Sequence, residues 1–411
     1  MTDLTPVAES TTCVIAGGGP AGMMAGLLLA RAGVEVTVLE KHGDFLRDFR
    51  GDTVHPSTMA VLDELGLGAQ FAALPKTIIE RVGLPGLDDG GHPTTVVDFS
   101  RLHHTHPYVA MVPQWDLLNL LAQAAEAEPT FTLRMNCEAT GLLRDGGKVT
   151  GVTYLGPDGA GELRAELTVA CDGRTSVLRQ AAGLKPREYP VPFDLWWFRL
   201  PGEPDGQYSM FPRMAGGHTL GIIPREGYYQ IAYFIPKGAD PALRADGLAS
   251  LKHNLAELIP EIPTDALTSL DDVKLLDVRS SRLPRWYTDG LLCIGDAAHA
   301  MSPAGGVGVN LAIQDGVAAA RLLAAPLLAR RLSTRDLAAV QRRRTLPTVF
   351  TQTFQRVMHR GMSRQSGRDL QLQPPEALRK LAGRLPGLSV IPAYLFGVGI
   401  RPEHAPDFAR R

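Results

Sequence analysis

Short apolar runs punctuated by glycine set the pattern of the first part of the chain. Thr12–Ala16 is a short apolar strand that enters the cluster Gly17–Gly22. Apolar residues then continue with helical spacing from Ala21 to about Ala32, and Gly33 stands where a helix C-cap is expected. Val34–Leu39 is a second, β-branched strand that ends in Glu40. Strand, glycine turn, helix and strand make a βαβ unit, which calls for a parallel sheet. Pro56 suits the first turn of a helix that runs to Leu65 and stops at Gly66.

Further along the pattern changes several times. Residues from about Pro75 to His106 are irregular and rich in Pro, Gly and His; helical periodicity returns over Trp115–Ala127. Short alternating strands follow at Phe131–Met135, Val149–Leu155 and Leu163–Ala170, then a helix at Arg174–Ala182. Aromatic-rich strands separated by turns come next: Leu195–Leu200, Gln207–Phe211, His218–Ile223 and Tyr228–Phe234. That spacing fits antiparallel pairing. A helix is expected near Leu248–Leu258, a buried strand at Leu291, a long helix at Val307–Leu328, and more helix from Ser333 to about Arg360. The expected fold is therefore α/β, a Rossmann-like nucleotide-binding domain interrupted by an antiparallel β-sheet domain and followed by a helical C-terminal region. The expected pieces are 10–74, 107–182 and 276–345 for the nucleotide domain, 75–106 and 183–275 for the inserted substrate domain, and 346–411 for the C-terminal region.

Composition narrows the function classes. Hydrophobic residues make up 45% and charged residues 21% of 411 residues, an ordinary globular balance. Lys+Arg 42 against Asp+Glu 43 leaves a net charge of −1, so no global field draws the chain to nucleic acid or an acidic membrane. The arginine runs Arg330–Arg331 and Arg342–Arg344 read as solvated helix faces. Met1–Thr12 lacks the basic and apolar regions of a signal peptide, and no apolar run reaches the ~20 residues of a membrane span. Cys13, Cys137, Cys171 and Cys293 are scattered, without metal-ligand spacing. A cytoplasmic protein with reduced cysteines and no metal is expected, as a monomer or homodimer.

The chemistry begins at Gly17-x-Gly19-x-x-Gly22, placed between strand and helix as a dinucleotide fingerprint requires. The first glycine permits the turn, the second lets backbone approach a pyrophosphate, and the third lets helix pack on strand. Pro20 and Ala21 complete the turn. Orphan N–H groups at the helix start attract phosphate. Glu40, with Lys41 beside it, closes the second strand where a carboxylate can accept from a ribose hydroxyl, and its charge disfavours a 2′-phosphate there. A second loop lies far downstream: Gly295-Asp296, then Pro303, Gly305, Gly306, Val307, Gly308, Val309 and Asn310 opening the long helix, with Asp315 inside it. A cofactor that extends well beyond one βαβ unit accounts for two such loops. FAD does; NAD alone does not.

These stretches resemble the class A flavoprotein monooxygenases, the para-hydroxybenzoate hydroxylase-like family. Three ordered motifs carry the resemblance from about residue 12 to about 325: Gly17–Gly22 with Glu40; Cys171-Asp172-Gly173-Arg174-x-Ser176-x-x-Arg179; and Gly295-Asp296 through Asp315. The resemblance implies that Gly17, Gly19 and Gly22 hold the FAD pyrophosphate and Glu40 the adenosine ribose. It also implies that Arg50 contacts the pyrophosphate or ribityl region, Gln114 the flavin chain and Asp296 the ribityl hydroxyls. Asp172 is similar to an acid linked to both FAD and NAD(P)H handling. Pro303 and the Gly305–Val309 backbone are expected beside the isoalloxazine. His299 reads as a packing or hydrogen-bonding residue rather than a base.

The activity implied is hydroxylation of a bulky, aromatic or hydrophobic small molecule with NADH or NADPH as transient donor and O₂ as oxidant, through a C4a-hydroperoxyflavin. No side chain is then required as a nucleophile. A second intact dinucleotide fingerprint is absent from the sequence, so the nicotinamide visits without a domain of its own. Candidate substrate contacts on the inserted sheet are Trp196, Phe198, Tyr208, Met210, Phe211 and Tyr233. The alternatives are an FAD-dependent reductase or dehydrogenase without oxygen insertion, and a non-catalytic flavin redox sensor. The Trp-x-Trp-x-Ile-Pro motif of flavin halogenases is absent from the sequence.

Overall fold

The structure, a computed structural model, describes residues 9–46, 52–84, 94–203, 212–225, 227–360, 362–364, 370–372 and 389–411. Its centre is a sheet in the order Tyr287–Thr288, Leu291–Cys293, Gly159–Ala170, Glu9–Ala16 (β1), Val36–Leu39 (β2), Phe131–Arg134. The four pairings from Leu291–Cys293 across to Phe131–Arg134 are parallel, as the βαβ pattern predicts. Strands Glu138–Asp145 and Lys148–Gly156 extend Gly159–Ala170 as an antiparallel meander.

Helix Pro20–Arg31 (α1) fills the β1–β2 crossover and crosses the long helix Gly308–Leu328 closely. At the crossing, a Cβ on Gly316 would lie 2.8 Å from the Ala21 carbonyl oxygen, so only glycine permits the approach. By length and composition Gly308–Leu328 could cross a membrane, but 78% of its apolar window is buried inside the molecule, and it serves as a core helix. The core here joins Ile15, Met24, Leu28, Val38, Ile313 and Val317 into one cluster.

The second layer is the five-stranded antiparallel sheet Pro212–Ala215, His218–Arg225, Tyr228–Pro236, Phe193–Pro201, Lys274–Leu276, in that spatial order. Helix Gly247–Leu258 covers one face through Leu251, Leu255 and Leu258. The opposite face meets Ile79, Val97, Val109 and Met111 of the connecting strands and Ala393 of the C-terminal helix Val390–Gly397.

Helix Thr334–Arg360 binds the layers together. Arg344 in its middle is not the solvated residue the arginine run suggests: it is 1% exposed, because three consecutive arginines spread around a helix and the third faces inward. The segment from Pro402 to Arg411 folds back on the nucleotide domain. Arg31 Nη1 donates to the Ala409 carbonyl at 2.8 Å, and Glu64 accepts from the Ala405 N–H at 2.6 Å. All four cysteines are free thiols; Cys13, Cys137 and Cys293 are buried, and burial pushes the Cys13, Cys171 and Cys293 thiols up.

Candidate active site

The first glycine turn follows β1 directly. Gly17 has φ +105°, and a Cβ there would lie 2.4 Å from the Cys171 carbonyl oxygen of the adjacent strand. A Cβ on Gly22 would lie 2.0 Å from the Gly17 carbonyl oxygen. Packing alone demands both glycines. Gly19, the α1 N-cap, is different: a Cβ there would meet nothing within 4 Å. The space over this turn is open where orphan N–H groups and the positive end of the helix dipole converge, which fits a pyrophosphate. Pro20 occupies N1, where its missing N–H costs no intrahelical bond, and Ala21 is buried beneath the turn. Glu40 braces the turn from the end of β2: its Oε2 accepts from the Gly18 N–H at 2.9 Å and its Oε1 from the His42 N–H at 3.1 Å. Lys41 is exposed.

The second turn arrives next to the first. A Cβ on Gly295 (φ +59°) would lie 3.1 Å from the Ala21 Cβ, so two segments remote in sequence meet at the start of α1. Strand Leu291–Cys293 delivers Asp296 into a 3-10 turn with its side chain 44% exposed, its nearest cation being Arg174 at 3.7 Å. Asp172 stands behind the turn as a helix-capping residue: its Oδ2 accepts from the Leu178 N–H at 3.1 Å, and burial raises its pKa. Ser176 caps the same helix, Val177–Ala181, by accepting from the Arg179 N–H. Buried Arg179 in turn donates to the Ala297 carbonyl at 3.0 Å, tying the Asp172 segment to the Asp296 turn.

The Ser302–Gly308 loop has its carbonyls pulled away from one side. Gln355 Nε2 donates to both the Ser302 and Ala304 carbonyls at 2.8 Å. Thr53 Oγ1 donates to the Gly306 carbonyl at 2.5 Å, and His55 Nε2 lies 3.1 Å from the same oxygen. His359 Nε2 meets Ser302 Oγ at 3.1 Å. Gly305 (φ +80°) lies under the Phe396 ring, 2.6 Å from where a Cβ would be. The helix behind the loop starts at Gly308 with Val307 as N-cap, so the first N–H groups, those of Gly308 and Val309 among them, lack intrahelical partners. Asn310 is locked below by Ser57 and Thr58, whose hydroxyls both donate to its Oδ1. Carbonyls tied back and N–H groups left forward favour negative charge at the loop, as the pyrimidine edge of a reduced flavin requires. Pro303 is half-buried beside these groups.

Sequence reasoning missed the clamp residues. Thr348, Gln352, Gln355 and His359 recur at helical spacing and are all buried, a polar stripe on an inward face. That stripe was the available signal. Thr53 and His55 are brought to the loop only by the short antiparallel pairing of Thr53–Val54 with Val109–Met111. His299 is a hydrogen-bonding residue, its Nε2 2.5 Å from Asp315 Oδ2. Burial pushes the Asp315 carboxyl up, but His299 and Arg344 outweigh it and hold the carboxyl below its ordinary range.

The inserted sheet corrects the expected substrate contacts. Trp196, Phe198 and Tyr233 belong to the face packed under helix Gly247–Leu258, in one core with Leu220, Ile231 and Leu255. They are covered on that side and do not face the flavin loop. Alternation identifies the two faces correctly, but the helix decides which one is closed, and it closes the Trp196 face. Arg50, Tyr208, Met210 and Phe211 lie outside the described residues. Gln114 is buried at the start of helix Gln114–Glu126, with its backbone N–H on the Asp52 carboxylate. Asp52 and Arg225 form an ion pair between the nucleotide layer and the antiparallel sheet, the Arg225 side chain buried and the Asp52 side chain partly so. Burial raises the Asp52 pKa to about 6 against the opposing pull of Arg225.

Comparison with known proteins gives this geometry a context. Residues 10–353 match the family model described as FAD binding domain. The chain is 35% identical over 366 residues, 88% of its length and 86% of the relative's, to 6-methylpretetramide 4-monooxygenase of Streptomyces rimosus. It is 26% identical to para-nitrophenol 4-monooxygenase of a Pseudomonas species, over 74% of this chain and 75% of that one. Its fold superposes on the anhydrotetracycline hydroxylase OxyS from Streptomyces rimosus with a TM-score of 0.73 at 25% identity, covering 96% of this chain and 77% of that one.

Proposed function

Because the chain belongs to the FAD-binding-domain family of flavoprotein monooxygenases, we propose that its reaction is hydroxylation of a bulky, fused-ring aromatic of polyketide type, dependent on NADH or NADPH and O₂. The observation that carries the substrate class is the 35% identity, over nearly the whole of both chains, to an enzyme named for a tetracyclic polyketide. The stoichiometry places one oxygen atom of O₂ in an aromatic C–H bond and the other in water, the nicotinamide supplying two electrons as one hydride and the solvent one proton. FAD, when bound, supplies the redox and oxygen chemistry.

The chain's own residues do the rest. Gly19 and the start of α1 would receive the pyrophosphate, and Asp296 the ribityl hydroxyls. The clamped Ser302–Gly308 loop would hold the pyrimidine edge, with Gln355, Thr53 and His55 fixing its carbonyls before any cofactor arrives. Such preorganisation avoids reorganisation at the moment of reaction. The antiparallel sheet, tied to Asp52 through Arg225 and packed in one core with Met111, the strand partner of Thr53, would exclude water from that side. A single dinucleotide fingerprint fits a nicotinamide donor that visits and leaves.

Turnover under ¹⁸O₂ with NADH or NADPH and a fused-ring phenol tests the proposal. A product heavier by one ¹⁸O atom supports it. Donor oxidation that yields only hydrogen peroxide favours a reductase, and a bound flavin that neither donor reduces favours a sensor.

A further inference from the structure

Three arginines gather on one tyrosine ring. The guanidinium carbons of Arg187, Arg282 and Arg356 stand 5.7, 5.4 and 4.9 Å from the ring centroid of Tyr189. The short antiparallel pairing of Arg187–Tyr189 with Ser280–Arg282 accounts for two of them. Arg187 and Arg282 are direct cross-strand partners, and Tyr189 follows Arg187 by two residues on the same face. Arg356 comes from helix Thr334–Arg360. Arg187 is exposed and the other three residues are half-buried, so the cluster is open to solvent.

Two features of the cluster call for an anion. Like charges directly opposite each other in a sheet destabilise it, yet among the described residues no carboxylate lies within 4 Å of any of the three guanidiniums. Glu188, between Arg187 and Tyr189, points to the opposite face, where its charge acts on Arg279. The second feature is a set of donors already held in place. Arg282 Nη1 donates to Gln352 Oε1 at 3.0 Å, and its Nη2 donates to the Tyr189 hydroxyl at 2.9 Å. Because that hydroxyl accepts from Arg282, its own hydrogen is left to donate, and it has no acceptor among the described residues. Three positive charges and a spare hydroxyl donor match the oxygens of a doubly charged phosphate.

We propose that Arg187, Arg282, Arg356 and the Tyr189 hydroxyl form a binding site for a phosphate dianion. Two sources supply that group: the 2′-phosphate of NADPH and free orthophosphate. The cluster lies one side-chain layer from the flavin framework. Gln352, which holds Arg282, also donates to the Ser281 and Ala300 carbonyls, and Ala300 is two residues from Ser302 of the clamped loop. The NADPH source rests on the hydroxylase reading above, and through it the site would select the donor; the phosphate site itself does not depend on that reading.

The test is calorimetric titration of the full FAD-loaded chain with NADP⁺, NAD⁺ and orthophosphate, in wild type, Arg187→Gln and Arg356→Gln. Neither variant removes a bond the fold needs: the Arg187 guanidinium has no hydrogen-bond partner among the described residues, and Arg356 holds only the exposed Thr353 hydroxyl. If the 2′-phosphate is the ligand, wild type should bind NADP⁺ about 10-fold more tightly than NAD⁺. Each variant should then lose about 10-fold for NADP⁺ and nothing for NAD⁺, the worth of one charged hydrogen bond. If free phosphate is the ligand, orthophosphate binding should fall about 10-fold in each variant while NADP⁺ and NAD⁺ bind alike. Binding of NADP⁺ and orthophosphate unchanged in both variants overturns the inference, as does wild type that binds neither. The ¹⁸O₂ experiment separates the two proposals. Label incorporated by wild type while both variants bind phosphate normally rejects the site and keeps the hydroxylase. Arginine-dependent phosphate binding without label does the reverse.

Discussion

Arg344 and Asp315 form an ion pair, Nε to carboxylate oxygen at 2.9 Å, with the two side chains 1% and 0% exposed. The pair is the centre of a larger network. Asp315 also accepts from the Gly295 N–H at 3.1 Å, the residue before Asp296, and Arg344 reaches Glu403 at 3.4 Å. Glu403 is further paired with Arg321 and Arg343. One buried chain of charge thus runs from the C-terminal segment to the turn that presents Asp296.

Removing one partner of such a pair leaves uncompensated charge in the interior. Arg344→Met should therefore destabilise the fold by about 3–5 kcal/mol. Chemical denaturation of wild type and variant measures it; a variant as stable as wild type contradicts the network's role.

Asp296 faces a different fate on substitution, because its side chain makes no bond that the fold needs. Asp296→Ala should leave the melting temperature of the flavin-free protein within a degree or two while weakening FAD about 10-fold, the worth of a hydrogen bond to a charged group. Flavin retained through gel filtration reports this. Wild-type flavin content in the variant would count against the assigned position.

Gly17→Ala tests the close approach of β1 to the Cys171 segment. The positive φ alone costs upwards of about 1–2 kcal/mol, and the added methyl must also displace backbone rather than a flexible side chain. A variant that unfolds at the wild-type denaturant midpoint would show that the contact is not as tight as described.

The Asp52 carboxyl gives a pH signature of unusual sign. Its folded pKa of about 6 lies above the ordinary aspartate value near 3.9, so between those values the native state holds a proton that the unfolded chain has released. Stability then falls as pH rises from about 4 to about 6, by on the order of 3 kcal/mol, and is flat with respect to this group above that. Melting temperature against pH, wild type minus Asp52→Asn, should show this decline. A difference that rises with pH over the window would contradict it.

Much of the architecture was legible because it is written in local periodicity. The glycine spacing at residues 17–22, the β-branched run into Glu40 and the long apolar helix after Gly308 all declare themselves within a dozen residues. That the two glycine turns lie side by side also followed, once one cofactor was required to span both; that they meet at Ala21 did not. The sheet face was not legible. Trp196 and Trp197 alternate whichever side is closed, and only the docking of Leu251 and Leu255 settles it. Nor could local pattern reveal Glu403 as the partner of Arg344, since nothing in Pro402-Glu403-His404 marks a buried carboxylate. Gln355 and His359 lie between these cases: their helical spacing was visible, but their burial against the Ser302 segment depends on tertiary packing.

The most direct test of the whole account is the flavin content of the purified chain. Released by acid and quantified against protein, FAD should be present, or taken up on reconstitution, at one molecule per chain, with the yellow absorbance of bound oxidised flavin. A folded, colourless protein that binds no added FAD would contradict it.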